Sequence, residues 1–337
     1  MKKMIGAILL ITLCLSACTS GDASPTLSPE EALQEKLKRL YETETTHIQY
    51  DGGWKLTTNS RGVEANYEGS EKKIVVPDGV KKVFLISRCV EEIHFPSHAQ
   101  GFSFGGAVSP HETEPVEMLI ITSPNLKKIT VSEDNPYITA IDGVLYDKKV
   151  TYIECYPLAK PDKRYVVPKS ITEVGGIPGG KYTEEVEIHW RLRINSSDYT
   201  SYSGPENLKE ISVAKTSLYH SSIDGVLFSR DKTKLLLYPP KKEGATYTVP
   251  SSVIHIQDGA FYCRWDFAYY PNPYLKTVTL PPNITYIADL RAHYYEDRGI
   301  PPEQIIKDNY NYLTFRVKKG SLTHDTLEHY GLNCEFF

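Results

Sequence analysis

Residues Leu126–Pro168 and Leu208–Pro250 are one unit written twice without a gap. Leu126 corresponds to Leu208, Asp142 to Asp224, Tyr156 to Tyr238 and Pro168 to Pro250, every pair 82 positions apart. A unit that recurs at fixed spacing belongs to a chain that stacks modules, because one module alone cannot bury its apolar face and leans on its neighbour. Stacked modules make extended binding surfaces more readily than enclosed active sites.

The first eighteen residues read as an export signal. Lys2 and Lys3 give the charged start, Met4 to Leu15 the apolar stretch, and Leu15-Ser16-Ala17-Cys18 the cleavage region. The apolar run is shorter than the roughly 20 residues that a spanning helix needs. Leu15-Ser16-Ala17-Cys18 resembles the bacterial lipobox, whose cysteine is lipidated and becomes the first mature residue. Acyl chains on Cys18 would hold the protein on a bilayer without crossing it, at about 0.8 kcal/mol per buried methylene. Thr19 is not the aspartate that resembles an inner-membrane retention signal, so in a double-membrane cell the expected place is the outer membrane.

Loss of residues 1–17 removes two lysines and takes the formal net charge from −4 to −6. A mildly acidic chain without a basic stripe lacks the electrostatic footprint of a nucleic-acid binder. Of the six cysteines, Cys14 is expected to leave with the signal and Cys18 to carry lipid. Cys89, Cys155, Cys263 and Cys334 could pair in an exported protein. Cys155 falls opposite Leu237 in the duplication, which marks it as an apolar core position. No cysteine or histidine spacing points to a metal site.

Thr19 to Leu27 is small and polar, a tether within an expected segment 18–28. Ser28-Pro29-Glu30-Glu31 supplies a capping hydroxyl, a first-turn proline and acids, followed by Leu33, Leu37 and Leu40 on one face. A short amphipathic helix is therefore expected over Pro29–Glu42, within an N-terminal helix and capping segment 29–62. From Ile48 onward short alternating segments recur, among them Lys73–Pro77, Glu92–Pro96, Leu126–Val131, Tyr165–Pro168, Leu208–Val213, Thr248–Pro250 and Leu275–Pro281. Their period is that of strands, and proline ends many of them because it cannot continue a central ladder. A second apolar beat follows, as in Ser252–Ile256 and Asn283–Ile287, and would form the opposite wall of each coil. Asp142-Gly143 and Asp224-Gly225 between apolar segments read as hairpin turns, with Thr151–Tyr156 and Thr233–Tyr238 as return strands.

Leu-Lys-x-Ile/Val-x-Val/Leu strands, the turn at 249–253, Gly259-Ala260-Phe261-Tyr262-Cys263 and the Ile-Asp-Gly-Val-Leu segments at 141–145 and 223–227 resemble the BspA-like leucine-rich repeats of bacterial surface proteins. Asn66–Ser70 looks like that family's first repeat, and Val317–Leu322 with a helix to Tyr330 like its terminal cap. The resemblance covers Val63 to the end. It implies a right-handed, curved, β-rich leucine-rich repeat solenoid over 63–337 with inserted hairpins and loops, short helical caps at both ends, and a role in attachment or ligand binding at the cell surface. Three stretches, Ser97–Met118, Gly175–Glu206 and Arg291–Asn309, depart from the family pattern and read as inserts.

Gly175–Lys181 approaches a phosphate-binding loop, but Tyr182 stands where a Ser or Thr is needed and Val186, Ile188 and Trp190 alternate as a strand does. A glycine-rich surface turn explains it. There is no His-Glu-x-x-His array and no Gly-x-Ser-x-Gly elbow. No catalytic residue, cofactor or metal is therefore expected, and the chain is read as a non-enzyme. Aromatic residues are the more suggestive population, with 24 tyrosines and a dense cluster over 261–270. Phe261, and Phe267 with it, are expected inside the coil, whereas Trp265, Tyr269 and Tyr270 are candidates for a ligand surface. The leading reading is a lipid-anchored surface protein that binds an extracellular protein or glycan through its solenoid. The alternatives are a structural envelope component packed against another surface subunit, and an enzyme with an insert-built pocket.

Overall fold

The computed structural model describes residues 47–59, 62–80, 82–85, 87–99, 119–121, 123–195, 205–257, 259–265, 268–287, 307 and 310–337. For 47, 59, 62, 82, 84, 119–121, 262–265 and 268–270 it describes the backbone alone. The expected signal segment, Cys18, the expected tether, the helix expected over Pro29–Glu42 and Phe267 lie outside the described residues. So do 100–118 and 288–306, which hold most of two expected inserts.

The regular structure of the described chain is short strands joined by turns, with one helix of eight residues at Leu322–His329. Among the described residues no helix is long and apolar enough to cross a membrane. The strands alternate between two walls. On one wall lie three parallel ladders: 73–75, 92–95 and 128–131; then 164–166, 185–188 and 210–213; then 246–248, 277–279, 314–317 and 334–336. On the other wall an antiparallel meander over 47–67 leads into parallel strands 82–85 and 119–121. Strands 173–174 and 193–194 pair there next, and 234–237, 255–256 and 286–287 follow. The expected second beat thus falls where the sequence places it, at His255–Ile256 and Tyr286–Ile287.

Five of the ladder strands are entered by the same device. The Glu91 and Glu92 N–H groups both donate to the Lys72 carbonyl (2.7 and 2.9 Å), and those of Lys127 and Lys128 to Glu91 (2.8 and 3.2 Å). Glu184 and Glu185 repeat this on Lys163, Lys209 and Glu210 on Glu184, and Lys276 and Thr277 on Ala245. Alternation then turns every second side chain inward. The register stacks Ile74, Ile93 and Ile129 in one row, Tyr165, Val186 and Ile211 in the next, and Tyr247, Val278 and Phe315 in the third. All but the half-buried Tyr247 are buried, and they anchor three apolar clusters that follow one another along the stack. Buried asparagines stitch coils together. The Asn135 amide donates to the Pro96 and Ala99 carbonyls of the coil before (2.8 and 2.7 Å), and Asn272 does the same to Pro239 and Lys242 (3.0 and 2.9 Å).

The duplicated unit has one shape in both copies. The hairpins 138–147 and 220–229 share the same register, and both return strands carry a bulge at the same place, Leu145/Tyr146 and Leu227/Phe228. Among the described residues, four non-glycine residues have positive φ, and they form two equivalent pairs: Asp142 (50°) with Asp224 (49°), and Val150 (57°) with Lys232 (61°). At the turns, Asp and Gly both adopt left-handed conformations, as a two-residue hairpin of the right twist requires.

The structure corrects one boundary. Gly175–Glu206 is not an insert, because Glu185–Ile188 is the central strand of the second ladder and Arg193–Ile194 sits in the other wall. Its glycines and Tyr182 obscured an ordinary coil; only 196–204 within it lies outside the described residues.

Candidate functional site

The ladder wall breaks after strand Lys128–Val131. In a parallel ladder alternate residues bond to one neighbour and the rest face the other. Lys128 and Ser132 donate backward, to Glu91 and Phe95, so the Ile129 and Val131 backbone groups face forward. The Ile129 N–H donates there to the Gly143 carbonyl at 3.0 Å. A hairpin tip, Asp142-Gly143, thus stands where the next strand would run. The chain then returns, Ala159 N–H donates to the Leu126 carbonyl (2.8 Å), and Lys160-Pro161-Asp162 closes the far side.

The gap is a groove of roughly 590 Å³ whose lining includes Lys128, Val131, Ala140, Asp142, Lys160 and Asp162. Lys160 is its centre. Its side chain is only 6% exposed, and Nζ donates to Asp142 Oδ2 at 3.1 Å and to Asp162. Burial opposes its charge, but hydrogen bonds to Asp162 and Asp142 outweigh that and raise the Lys160 pKa. One ammonium therefore fixes two carboxylates, and Asp142 remains 82% exposed on the open side. At the rim, Glu91 bridges Lys72 and Lys127 at 2.9 and 2.7 Å, and these two hydrogen bonds hold its carboxyl down at about 2. Lys163–Glu184–Lys209 repeats that bridge on the second ladder. Exposed pairs add little stability, so their use is in matching neighbouring coils.

The second copy of the unit repeats the backbone but not the chemistry. The Ile211 N–H meets the Gly225 carbonyl at 3.0 Å, as Ile129 meets Gly143. Yet Glu210 replaces Lys128, Ser222 replaces Ala140, and Glu243-Gly244 replaces Pro161-Asp162. Lys242, in the place of Lys160, is only half-buried.

The residues expected to carry binding lie elsewhere. Strands Tyr262–Trp265 and Ala268–Pro271 form an antiparallel hairpin pairing Trp265 with Ala268, Arg264 with Tyr269 and Cys263 with Tyr270. The side chains of Trp265, Tyr269 and Tyr270 lie outside the described residues, as does Cys18. Phe261 is fully buried, as expected. Cys155 is buried and free, with its thiol pushed up to about 12 by burial and the nearby Glu154; Cys89 and Cys334 are also free. Gly180 sits in a turn against the previous coil, where an added Cβ would lie 2.7 Å from the Pro157 and Leu158 carbonyl oxygens. Gly180 serves that close approach, whereas Gly175 faces open space, in keeping with a surface turn. His189 donates to the Ile171 carbonyl (2.8 Å), and His220 accepts from the Ile194 N–H (3.0 Å). Burial, with Arg193 nearby, lowers His220 to about 4 and keeps it a neutral acceptor.

Sequence reasoning missed Lys160 and gave Asp142 only a turn role. The available signal was the comparison of the two copies, in which Lys160-Pro161-Asp162 becomes Lys242-Glu243-Gly244. Exposed Trp190, Leu218 and Tyr219 were missed as well; the Leu218 N–H donates to the Trp190 carbonyl at 3.0 Å, which places them on adjacent coils.

Solved leucine-rich repeat surface proteins are its structural neighbours. A leucine-rich cell surface protein from Faecalibacterium prausnitzii is 16% identical with a TM-score of 0.37, over 73% of each chain. A leucine-rich repeat protein from Eubacterium ventriosum is 13% identical with a TM-score of 0.34, over 82% of this chain and 73% of that one. The pneumococcal vaccine antigen PcpA is 14% identical with a TM-score of 0.28, over 88% of this chain and all of that one. No protein-family model and no curated protein matches the chain. At these scores the likeness is loose, and the repeat architecture stands on the chain's own ladders and duplicated unit.

Proposed function

We propose that this is a non-enzymatic surface protein, lipid-anchored through Cys18, whose right-handed solenoid of leucine-rich repeats binds a protein or glycan outside the cell. The observation that carries the reading is the stack of parallel ladders. It leaves whole rows of side chains facing outward on a rigid frame, so association costs little ordering. The groove at the first break in the ladder wall gives that frame a concave feature with fixed charges. In this reading the helix Leu322–His329 caps the last coil. Thr326 Oγ1 donates to the Ile284 carbonyl (3.1 Å) and Thr323 Oγ1 accepts from the Ile284 N–H (2.8 Å), tying the helix to the coil before it.

Two experiments test it. Radiolabelled palmitate should enter the expressed chain and be lost in C18S; equal labelling of both removes the anchor. The full chain should then be probed on glycan and peptide arrays. Saturable binding to either class supports the reading, and silence on both, alongside recovery of a stable complex with another envelope subunit, replaces it with the structural alternative.

A further inference from the structure

We propose that the groove centred on Lys160 is a binding site for a neutral, hydroxyl-rich ligand, one sugar unit of a glycan. This rests on the reading above and narrows it to one site and one class.

The lining carries three lysines, Lys127, Lys128 and Lys160, against Glu92, Asp142 and Asp162. Balanced charge of this kind attracts neither anions nor cations over neutral molecules, but it supplies both donors and acceptors. The acceptors are preorganised. Asp142 and Asp162 both line the groove and share the buried Lys160 ammonium, so part of the cost of ordering them is met before a ligand binds. Ionised acceptors make the stronger hydrogen bonds, and sugar hydroxyls are donors that can meet two carboxylates at once. Val131, Ala140 and Pro161 contribute apolar surface suited to the C–H face of a pyranose ring.

The second copy of the unit shows what is special here. In that copy the forward-facing Val213 N–H is capped by Ser222 Oγ at 3.0 Å. In the first copy Ala140 holds the serine position, and among the described residues no hydroxyl takes the equivalent Val131 N–H; Val131 itself lines the groove. An open backbone donor beside two fixed carboxylates is the complement of a polyol. A single exchange, Ala for Ser, creates the donor. A second, Asp for Gly, creates the paired acceptor.

The test is titration of the purified, isotope-labelled full chain with methyl β-glucoside, cellobiose and N,N′-diacetylchitobiose, read at the Val131 amide by NMR. Glucuronate and glucosamine serve as charged comparators. At least one neutral sugar is expected to shift the Val131 amide saturably below about 50 mM, the weak range of a single sugar unit. A140S, which restores the cap that the second copy uses, is expected to weaken binding about tenfold, as is D162G. S222A in the second copy should leave the Val131 response unchanged. Both key substitutions install residues that the equivalent fold already tolerates, so loss of folding would not be confused with loss of binding. No response to any neutral sugar, equal binding by A140S, or preference for a charged comparator overturns the proposal. If arrays still report a ligand, the surface-binding reading survives and only this site fails.

Discussion

Glu154 is the most consequential difference between the two copies for stability. It is 7% exposed in strand Ile153–Cys155, its Oε2 has no hydrogen-bond partner, and the second copy has the buried Leu236 at that position. Burial first, and Asp147 second, raise its carboxyl from 4.5 to about 8. The folded state therefore holds a proton that the unfolded chain releases, so stability falls as pH rises from about 4.5 to about 8 and is flat on either side. At 1.36 kcal/mol per pH unit, the carboxyl costs about 1 kcal/mol at pH 5 and about 3 kcal/mol at pH 7. E154L removes that cost and substitutes the residue that the second copy packs there. Urea unfolding at pH 5, 6, 7 and 8 should show E154L more stable throughout, with the gap widening by about 2 kcal/mol between pH 5 and pH 7. L236E should import the same slope into the second copy. Parallel pH profiles for wild type and E154L would refute the reasoning, because they would mean that Glu154 is ionised and solvated in the folded state.

Other expectations follow from the same comparison of copies. Tyr146 and Tyr165 hydroxyls meet at 3.0 Å, but Phe228 replaces Tyr146 in the second copy and leaves the Tyr247 hydroxyl buried without a partner. Y146F is expected to cost about 1–3 kcal/mol by orphaning Tyr165, whereas F228Y should gain up to about 1 kcal/mol, both by denaturant unfolding. Exposed Lys232 holds φ at 61°, so K232N, with a residue at ease in that conformation, should gain a few tenths to about 1 kcal/mol. A thiol reagent should modify exposed Cys89 in the native protein and reach Cys155 only on unfolding; prompt native labelling of a C89S variant at Cys155 would place that side chain outside the core.

The fold was legible because its determinants are local and repeated. Alternating segments ending at proline, the Asp-Gly turns and the 82-residue register each name an element, and the ladders, hairpins and return strands fall on them. The coil over 175–195 was lost because four glycines in seven residues read as a break, whereas one of them, Gly180, lets the turn press against Pro157 and Leu158. The antiparallel start over 47–67 carried only the alternation common to every strand here, which says nothing of direction. The groove was less legible still. Lys160 and Asp162 are near neighbours, but Asp142 and Val131 join them only once a hairpin tip takes the place of a ladder strand. That is a property of stacking, and sequence spacing does not encode it. The difference between Ala140 and Ser222 gains its meaning only when both backbones are known to coincide.

The stacking itself is best tested by disulfide trapping between neighbouring coils. Glu187 and Ser212 are register partners on adjacent strands of the second ladder, with both side chains on its outer row. In a C89S background, E187C/S212C should cross-link fully under mild oxidation, because register partners lie within the about 4.4–6.8 Å Cα separation that a disulfide spans. E185C/S212C, two positions out of register, should not. Failure of the first pair, or equal cross-linking of the second, would contradict a chain built from stacked coils that share one interior.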